Sequence, residues 1–306
     1  MFNYKKRVSL PLVDNNKASG AFIDNTPIKS CNSDNYDNFE TTFNKDDELF
    51  VNMSHELKTP LNVIFSGAQL MELCLADDSD EIDKQKILSI ITSVKQNCYR
   101  LTKIINNLMD ISKINTGNLK LNINNKDIVK TIEDIVHATS SFIAEKELSI
   151  IFSSNADKKI IAFDEEKIER VILNLISNAV KFSNPGGSIH IKLIDKGDTV
   201  EISVEDNGIG IDEKYLDNIF DRFNQVDKSL SRIAEGSGIG LYIAKAIVEM
   251  HGGNISIDSK LNQGSIFKFE IPAHIYCRLN NSDKIIYYDN KKEMIKIEFS
   301  DISQIL

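Results

Sequence analysis

The sequence predicts an α + α/β chain: an antiparallel helical hairpin that pairs with a second copy as a dimeric four-helix bundle, followed by a two-layer α/β sandwich. Two observations predict this. Apolar residues recur at steps of three and four over 50–75 and again over 87–108, the period of helices with one buried seam. Beyond about residue 118 that period gives way to short alternating runs separated by helical ones, the pattern of strands covered by helices.

Composition sets the outer bounds. The 306 residues are 42% hydrophobic and 26% charged, which gives room for about two domains. A net charge of −9 argues against nucleic acid or an anionic membrane surface as the main partner. No run of 18 apolar residues is present, so no membrane span is written in this chain, which leaves room for an upstream membrane sensor. The basic start, Lys5-Lys6-Arg7, has no apolar segment behind it and is not a signal peptide. Cys31, Cys74, Cys98 and Cys277 form no close pair and read as reduced thiols of a cytoplasmic protein.

Taken in order, residues 1–45 are polar, carry Pro11 and Pro27, and read as a flexible leader. The hairpin occupies 46–117. Its first helix carries Phe50, Met53, Leu57, Leu61, Ile64, Ala68, Met71 and Leu75, a heptad seam with one extra residue near the only histidine in the segment. A polar turn over 77–80 leads to a second helix with Ile87, Ile91, Val94, Cys98, Leu101, Ile105 and Leu108, and Gly117 is placed to cap its end. One hairpin closes no core alone, and a homodimer buries both seams. The sandwich occupies 118–273. It reads as a helix over 126–146, strands at 148–152 and 159–163, and a helix capped by Asp164 and running to Phe182. Strands at 188–194 and 199–205, a short helix near 213–220, a helix over 238–251 and strands at 254–259 and 265–271 complete it. Three helices would cover a mixed five-stranded sheet. Residues 274–306 form an extension in which alternating Ile295, Ile297 and Phe299 suggest a short edge strand.

Chemistry concentrates in four stretches. In Ser54-His55-Glu56-Leu57-Lys58-Thr59-Pro60-Leu61, His55 and Thr59 share a helix face, and Glu56 can reach the imidazole edge. A neutral imidazole is a nucleophile at neutral pH, and a carboxylate on its other nitrogen fixes the tautomer and raises its basicity. Pro60 lacks an N–H and bends the helix just below the histidine. Asn174, Asn178 and Lys181 share one face of their helix, opposite Ile168, Val171, Ile172, Leu175 and Ala179. Two amides and an ammonium suit a hydrated Mg²⁺ and a phosphate. Asp206-Asn207-Gly208-Ile209-Gly210 ends a strand. Its carboxylate can accept from an exocyclic amine such as adenine N6, and its glycines let backbone approach the ring. Gly236-Ser237-Gly238-Ile239-Gly240-Leu241 opens a helix, where bare N–H groups and the positive dipole end meet phosphate oxygens.

Together these stretches resemble the cytoplasmic core of bacterial two-component sensor histidine kinases over about 46–272. Residues 54–61 look like the histidine box, Asn174–Lys181 the asparagine box, and Asp206–Gly210 and Gly236–Leu241 the two glycine boxes. Phe220-Asp221-Arg222-Phe223 looks like the phenylalanine box. The resemblance implies a dimerisation and phosphotransfer hairpin followed by an ATPase domain of the Bergerat fold. It implies His55 as phosphoacceptor, Glu56 as general base and Thr59 as the residue orienting a water that dephosphorylates the partner. It implies Asn178 as the Mg²⁺ ligand, Asn174 and Lys181 near the phosphates, and Asp206 as the adenine reader. Gly208, Gly210, Gly236, Gly238, Gly240 and Leu241 would line the ATP site. Residues 211–237 would form a lid anchored by Phe220 and Phe223. The implied partner is the receiver domain of a response regulator. Two other classes compete: an ATP-binding dimeric scaffold without turnover, and a serine kinase of the same ATPase superfamily. Intact His55, Glu56 and Asn178 weigh against the first. The histidine-bearing hairpin weighs against the second.

Overall fold

The computed structural model describes residues 34–76, 84–222, 238–276 and 291–302, with side chains of the first helix described over 53–75. The hairpin consists of α1 (Asp34–Ala76) and α2 (Lys84–Asn115). α1 begins well before the predicted boundary at 46, so residues 34–45 of the predicted leader are helical. No proline lies between Pro27 and Pro60, and lengthening a helix that already has a nucleus needs little further driving force. The helix continues through Pro60. At Gly67 the two helices approach so closely that a Cβ would come 2.6 Å from a methyl of Val94 and 3.5 Å from Ile90. α2 stops where predicted: Gly117 adopts φ +65°, and Asn118 N–H donates to the Lys113 carbonyl at 2.8 Å. The predicted turn at 77–80 and residues 1–33 lie outside the described residues.

The sandwich follows as β1 (Asn124–Asp127), α3 (Ile128–Ala144), β2 (Ser149–Ser154), β3 (Ile160–Phe163), α4 (Glu165–Phe182), β4 (Ser188–Asp195) and β5 (Thr199–Asp206). After these come α5 (Glu213–Leu216), α6 (Gly240–Met250), β6 (Asn254–Lys260) and β7 (Gly264–Pro272). The main sheet has the order β2-β4-β5-β7-β6, with β2 parallel to β4 and the other pairs antiparallel. Alternate residues point inward: Ile189, Ile191 and Leu193 of β4, Val200, Ile202 and Val204 of β5, and Phe267, Phe269 and Ile271 of β7. They meet Ile132 and Ile135 of α3, Ile168, Ile172 and Leu175 of α4, and Ile243 and Ile247 of α6 in one core. Each such side chain contributes about 1.5–3 kcal/mol on burial.

Three expectations are corrected. The strand at 159–163 is absent from the main sheet; β3 pairs antiparallel with β1, whose last two residues fall inside the predicted helix over 126–146. β1 is Asn-Asn-Lys-Asp, without the β-branched residues that mark strands, and only its partner makes it one. The predicted helix at 213–220 is the single turn α5. The predicted C-terminal strand is a helix, α7 (Lys291–Glu298). Ile295 is buried within it, and Phe299 and Ile302, four and seven residues on, are buried just beyond its end, so the spacing of a helix face overrides the alternation. Among the described residues, no helix is long and apolar enough to cross a membrane.

Candidate functional site

The site is built from three chain segments at one end of the sheet. α4 supplies the first. Its start is fixed by Asp164, whose carboxylate accepts from Lys167 N–H at 3.2 Å and from Asn122 N–H at 2.7 Å. With its apolar face locked in the core, Asn174, Asn178 and Lys181 are left half-buried on the other face. Asn178 Nδ2 donates to Asn174 Oδ1 at 3.3 Å, and Asn178 Oδ1 takes no part in that bond. The Lys181 ammonium lies 5.3 Å from the centroid of the Phe182 ring.

β5 supplies the second. It ends at Asp206, 6% exposed, whose Oδ1 accepts from Gly208 N–H at 2.9 Å. Burial raises the Asp206 pKa above its usual value, opposed by N–H groups of Gly208 and Ser265. Two glycines here have no room for a side chain. A Cβ on Gly208 would lie 2.2 Å from the Phe182 carbonyl oxygen; one on Gly210, at φ +63°, would lie 2.0 Å from that of Lys260. The loop is thus pressed between the end of α4 and the β6–β7 turn. Phe220 packs edge-on against Phe267, centroids 6.4 Å apart.

α6 supplies the third. Ile239 is fully buried, Gly238 has φ +63°, and Leu241 packs against the core. A Cβ on Gly240 would lie 2.3 Å from Asn174 Nδ2, so the first turn of α6 touches the amide face of α4 directly. Asn174 thus meets Asn178 and Gly240, and Gly208 joins Asp206 to the end of α4. Phe223 and Gly236 lie outside the described residues. His55 stands on α1, exposed, with Glu56 half-buried beside it. Thr59 Oγ1 donates to the His55 carbonyl at 3.3 Å.

Two residues not singled out from the sequence join these parts. Arg170, one turn before Asn174 on the same face of α4, binds α2, donating to the carboxylate of Asp110 and, at 2.7 Å, to Asn107 Oδ1. Its spacing from the two asparagines was visible; its partner was not. Arg222 donates to Asn115 of α2 and, at 2.5 Å, to the Tyr242 hydroxyl of α6, with its guanidinium 4.5 Å from the Tyr242 ring centroid.

The arrangement offers a buried carboxylate for a hydrogen-bond donor, a helix N-terminus for an anion, and amide oxygens for a hydrated cation. Among the described residues, no three His, Cys, Asp or Glu side chains cluster as a metal site. A cation here would be held by amide and phosphate oxygens, which suits Mg²⁺.

Comparisons with known proteins agree with this geometry. Residues 46–117 match the family profile "His Kinase A (phospho-acceptor) domain", and 163–275 match "Histidine kinase-, DNA gyrase B-, and HSP90-like ATPase". The chain is 32% identical to hybrid signal transduction histidine kinase D of Dictyostelium discoideum over 99% of its own length, but spans 19% of that protein. It is 33% identical to the sensor protein KdpD of Clostridium acetobutylicum over 74% of its length, spanning 25% of that one. Among solved structures, full-length ShkA in complex with AMPPNP aligns with a TM-score of 0.56 at 25% identity, over 75% of this chain and 46% of that one.

Proposed function

Because the chain belongs to the histidine kinases of two-component signalling, we propose that it uses ATP to phosphorylate His55 and passes the phosphoryl group to an aspartate of a response regulator. The observation that carries this reading is the meeting of the α4 amide face, Asp206 and the first turn of α6, in one compact unit with the hairpin that presents His55.

In this reading Asp206 accepts from the adenine amine, and the glycines at 208 and 210 let the ring approach the backbone. N–H groups at 236–240 bind phosphate oxygens at the positive end of α6. Asn178, with Asn174 beside it, would hold a hydrated Mg²⁺, which would offset charge on the transferring group. Lys181 adds a second positive charge, and Phe220 and Phe223 anchor the lid. The lone pair of one His55 ring nitrogen attacks the γ-phosphorus. The N–P bond forms as the bond to the β-phosphate oxygen breaks, and Glu56 accepts the proton on the other ring nitrogen. Catalysis is then mainly positioning and charge stabilisation. The Thr59 hydroxyl proton is already engaged with the His55 carbonyl, so its oxygen lone pairs are left to orient the water of the reverse, dephosphorylating reaction. The active species is a homodimer, and it works in the cytoplasm.

The test is incubation with γ-labelled ATP and Mg²⁺, wild type beside His55→Gln. Acid-labile, base-stable label on wild type alone is expected. Equal label on both proteins removes His55 from this role. No label on wild type with ATP binding intact favours the scaffold.

A further inference from the structure

A second cluster of buried charge, apart from the nucleotide site, surrounds α7. This helix lies between the hairpin and the ATPase domain and binds both. On the hairpin side, Arg100 Nε and Gln96 Nε2 donate to the Ser300 carbonyl at 2.9 and 3.3 Å. Lys103 Nζ donates to the Glu298 carbonyl and to the Asp301 carboxylate, both at 2.7 Å. On the other side, Lys291 pairs with Glu169 of α4 at 2.7 Å, and Ser177 Oγ donates to the Glu298 carbonyl at 3.1 Å. The buried Glu298 carboxylate faces cations of both domains: Lys103 of α2 at 3.6 Å and Arg170 of α4 at 3.5 Å.

These contacts depend on one another. The last carbonyls of a helix have no partners within it, and cations are favoured there. Here α2 supplies both donors and charge. Were α2 to leave, the Ser300 carbonyl would lose both its side-chain donors, the Glu298 carbonyl would keep only Ser177, and the Glu298 carboxylate would lose one of its two cations. Burial weakens the Lys103 charge, but Asp301 and Glu298 together outweigh it and hold its pKa above the usual value. Lys103 is therefore charged where it meets Glu298 and Asp301.

Its position bears on phosphotransfer. The close approach of Gly67 to Val94 and Ile90 sets the hairpin register, and two antiparallel helices from that point bring Lys103 to about the level of His55. Arg170 lies on the same face of α4 as Asn174 and Asn178, and that face is docked onto Asn107 and Asp110 of α2. His55, on α1, is meanwhile open to solvent. An imidazole receiving a phosphoryl group would instead be covered by the nucleotide domain.

We propose that α7 is a strap that holds the ATPase domain docked on α2, keeps bound phosphates away from His55, and must release before His55 is phosphorylated. The proposal rests on the kinase reading above, so its test has a readout independent of activity. Lys103→Glu, in the full chain, places a negative charge against Glu298 and Asp301. Expected are faster hydrogen exchange over 96–110 and 291–302, an initial rate of His55 labelling higher by about tenfold, and unchanged ATP affinity. Adding Asp301→Lys restores the charge pairing and returns exchange and rate towards wild type. A chain ending at residue 276 behaves like Lys103→Glu. Unchanged exchange in Lys103→Glu overturns the proposal, as does raised exchange with an equal or slower rate, or a double variant that restores neither readout. If wild type and variant both take no label, the kinase reading fails instead. The gating of His55 then falls with it, and exchange judges only the docking: raised exchange sustains the docking of α7 on α2, and unchanged exchange overturns that too.

Discussion

Asp206 is a residue whose surroundings set its chemistry. Its carboxylate is buried at a strand end, held by two backbone N–H groups, and its pKa lies above the ordinary value. As pH falls through that raised pKa, Asp206 takes up a proton before an exposed aspartate would and can no longer accept freely from the adenine amine. ATP affinity should therefore fall on acidification, as calorimetry across pH 4–7 would register, and Asp206→Asn should flatten the profile. At neutral pH that variant should weaken ATP by about 1–3 kcal/mol, the penalty of a mispaired buried group. Gly240→Ala tests a different contact. Its new methyl meets the Asn174 amide at 2.3 Å, so ATP affinity should drop by about tenfold while the melting temperature changes little. Gly210→Ala should lower stability by about 2 kcal/mol or more in urea titrations, because both its φ of +63° and the Lys260 carbonyl oppose a side chain. The amides, Asp206 and the glycines were legible in the sequence, since their spacing on predicted helices and strand ends is local. Arg170 and Arg222 were not. Their partners on α2 lie sixty or more residues away, on a helix whose docking face no local pattern announces.

At the scale of elements, α4, α6 and the end of α2 were legible for similar reasons: a capping aspartate, paired glycines and a regular apolar face. β1 and α7 were not, because each is defined by what it packs against. The joint between α4 and α6 is held by His251. Its Nε2 accepts from Asp164 N–H at 3.0 Å, and its Nδ1 lies 2.8 Å from the Ile247 carbonyl, so the neutral ring serves both helices. Burial lowers the His251 pKa, although the Ile247 carbonyl and the Asp164 charge oppose the shift. The sign follows directly. The unfolded chain binds a proton below about 6.5 while the folded ring still resists it, so stability is fully present above that pH and falls as pH drops towards the folded pKa. Denaturant unfolding at pH 7.5 and 5.5 should show this loss. His251→Leu should be less stable by about 1–3 kcal/mol at the higher pH, with a shallower pH dependence.

For the whole molecule, the hairpin carries more apolar surface than one chain covers. Phe65 is 64% exposed, Leu73 67%, Leu75 68% and Leu88 62%, and Ile91 and Ile105 of the predicted seam are also open. A second copy of the hairpin buries such a stripe as a four-helix bundle. Sedimentation should find a dimer for wild type and a shift to monomer for Phe65→Lys combined with Leu73→Lys, with the ATPase domain still folded and binding ATP. Gly67 gives the hairpin a mechanical character of its own. Two rods held in close approach at a point can rock about it. His55 stands about 18 Å along α1 from that point at 1.5 Å per residue. Opening the far end of the hairpin by about 10° would therefore carry the imidazole by about 3 Å, comparable with the length of a single phosphoryl transfer. A bulkier residue at the fulcrum would jam the lever at both ends at once.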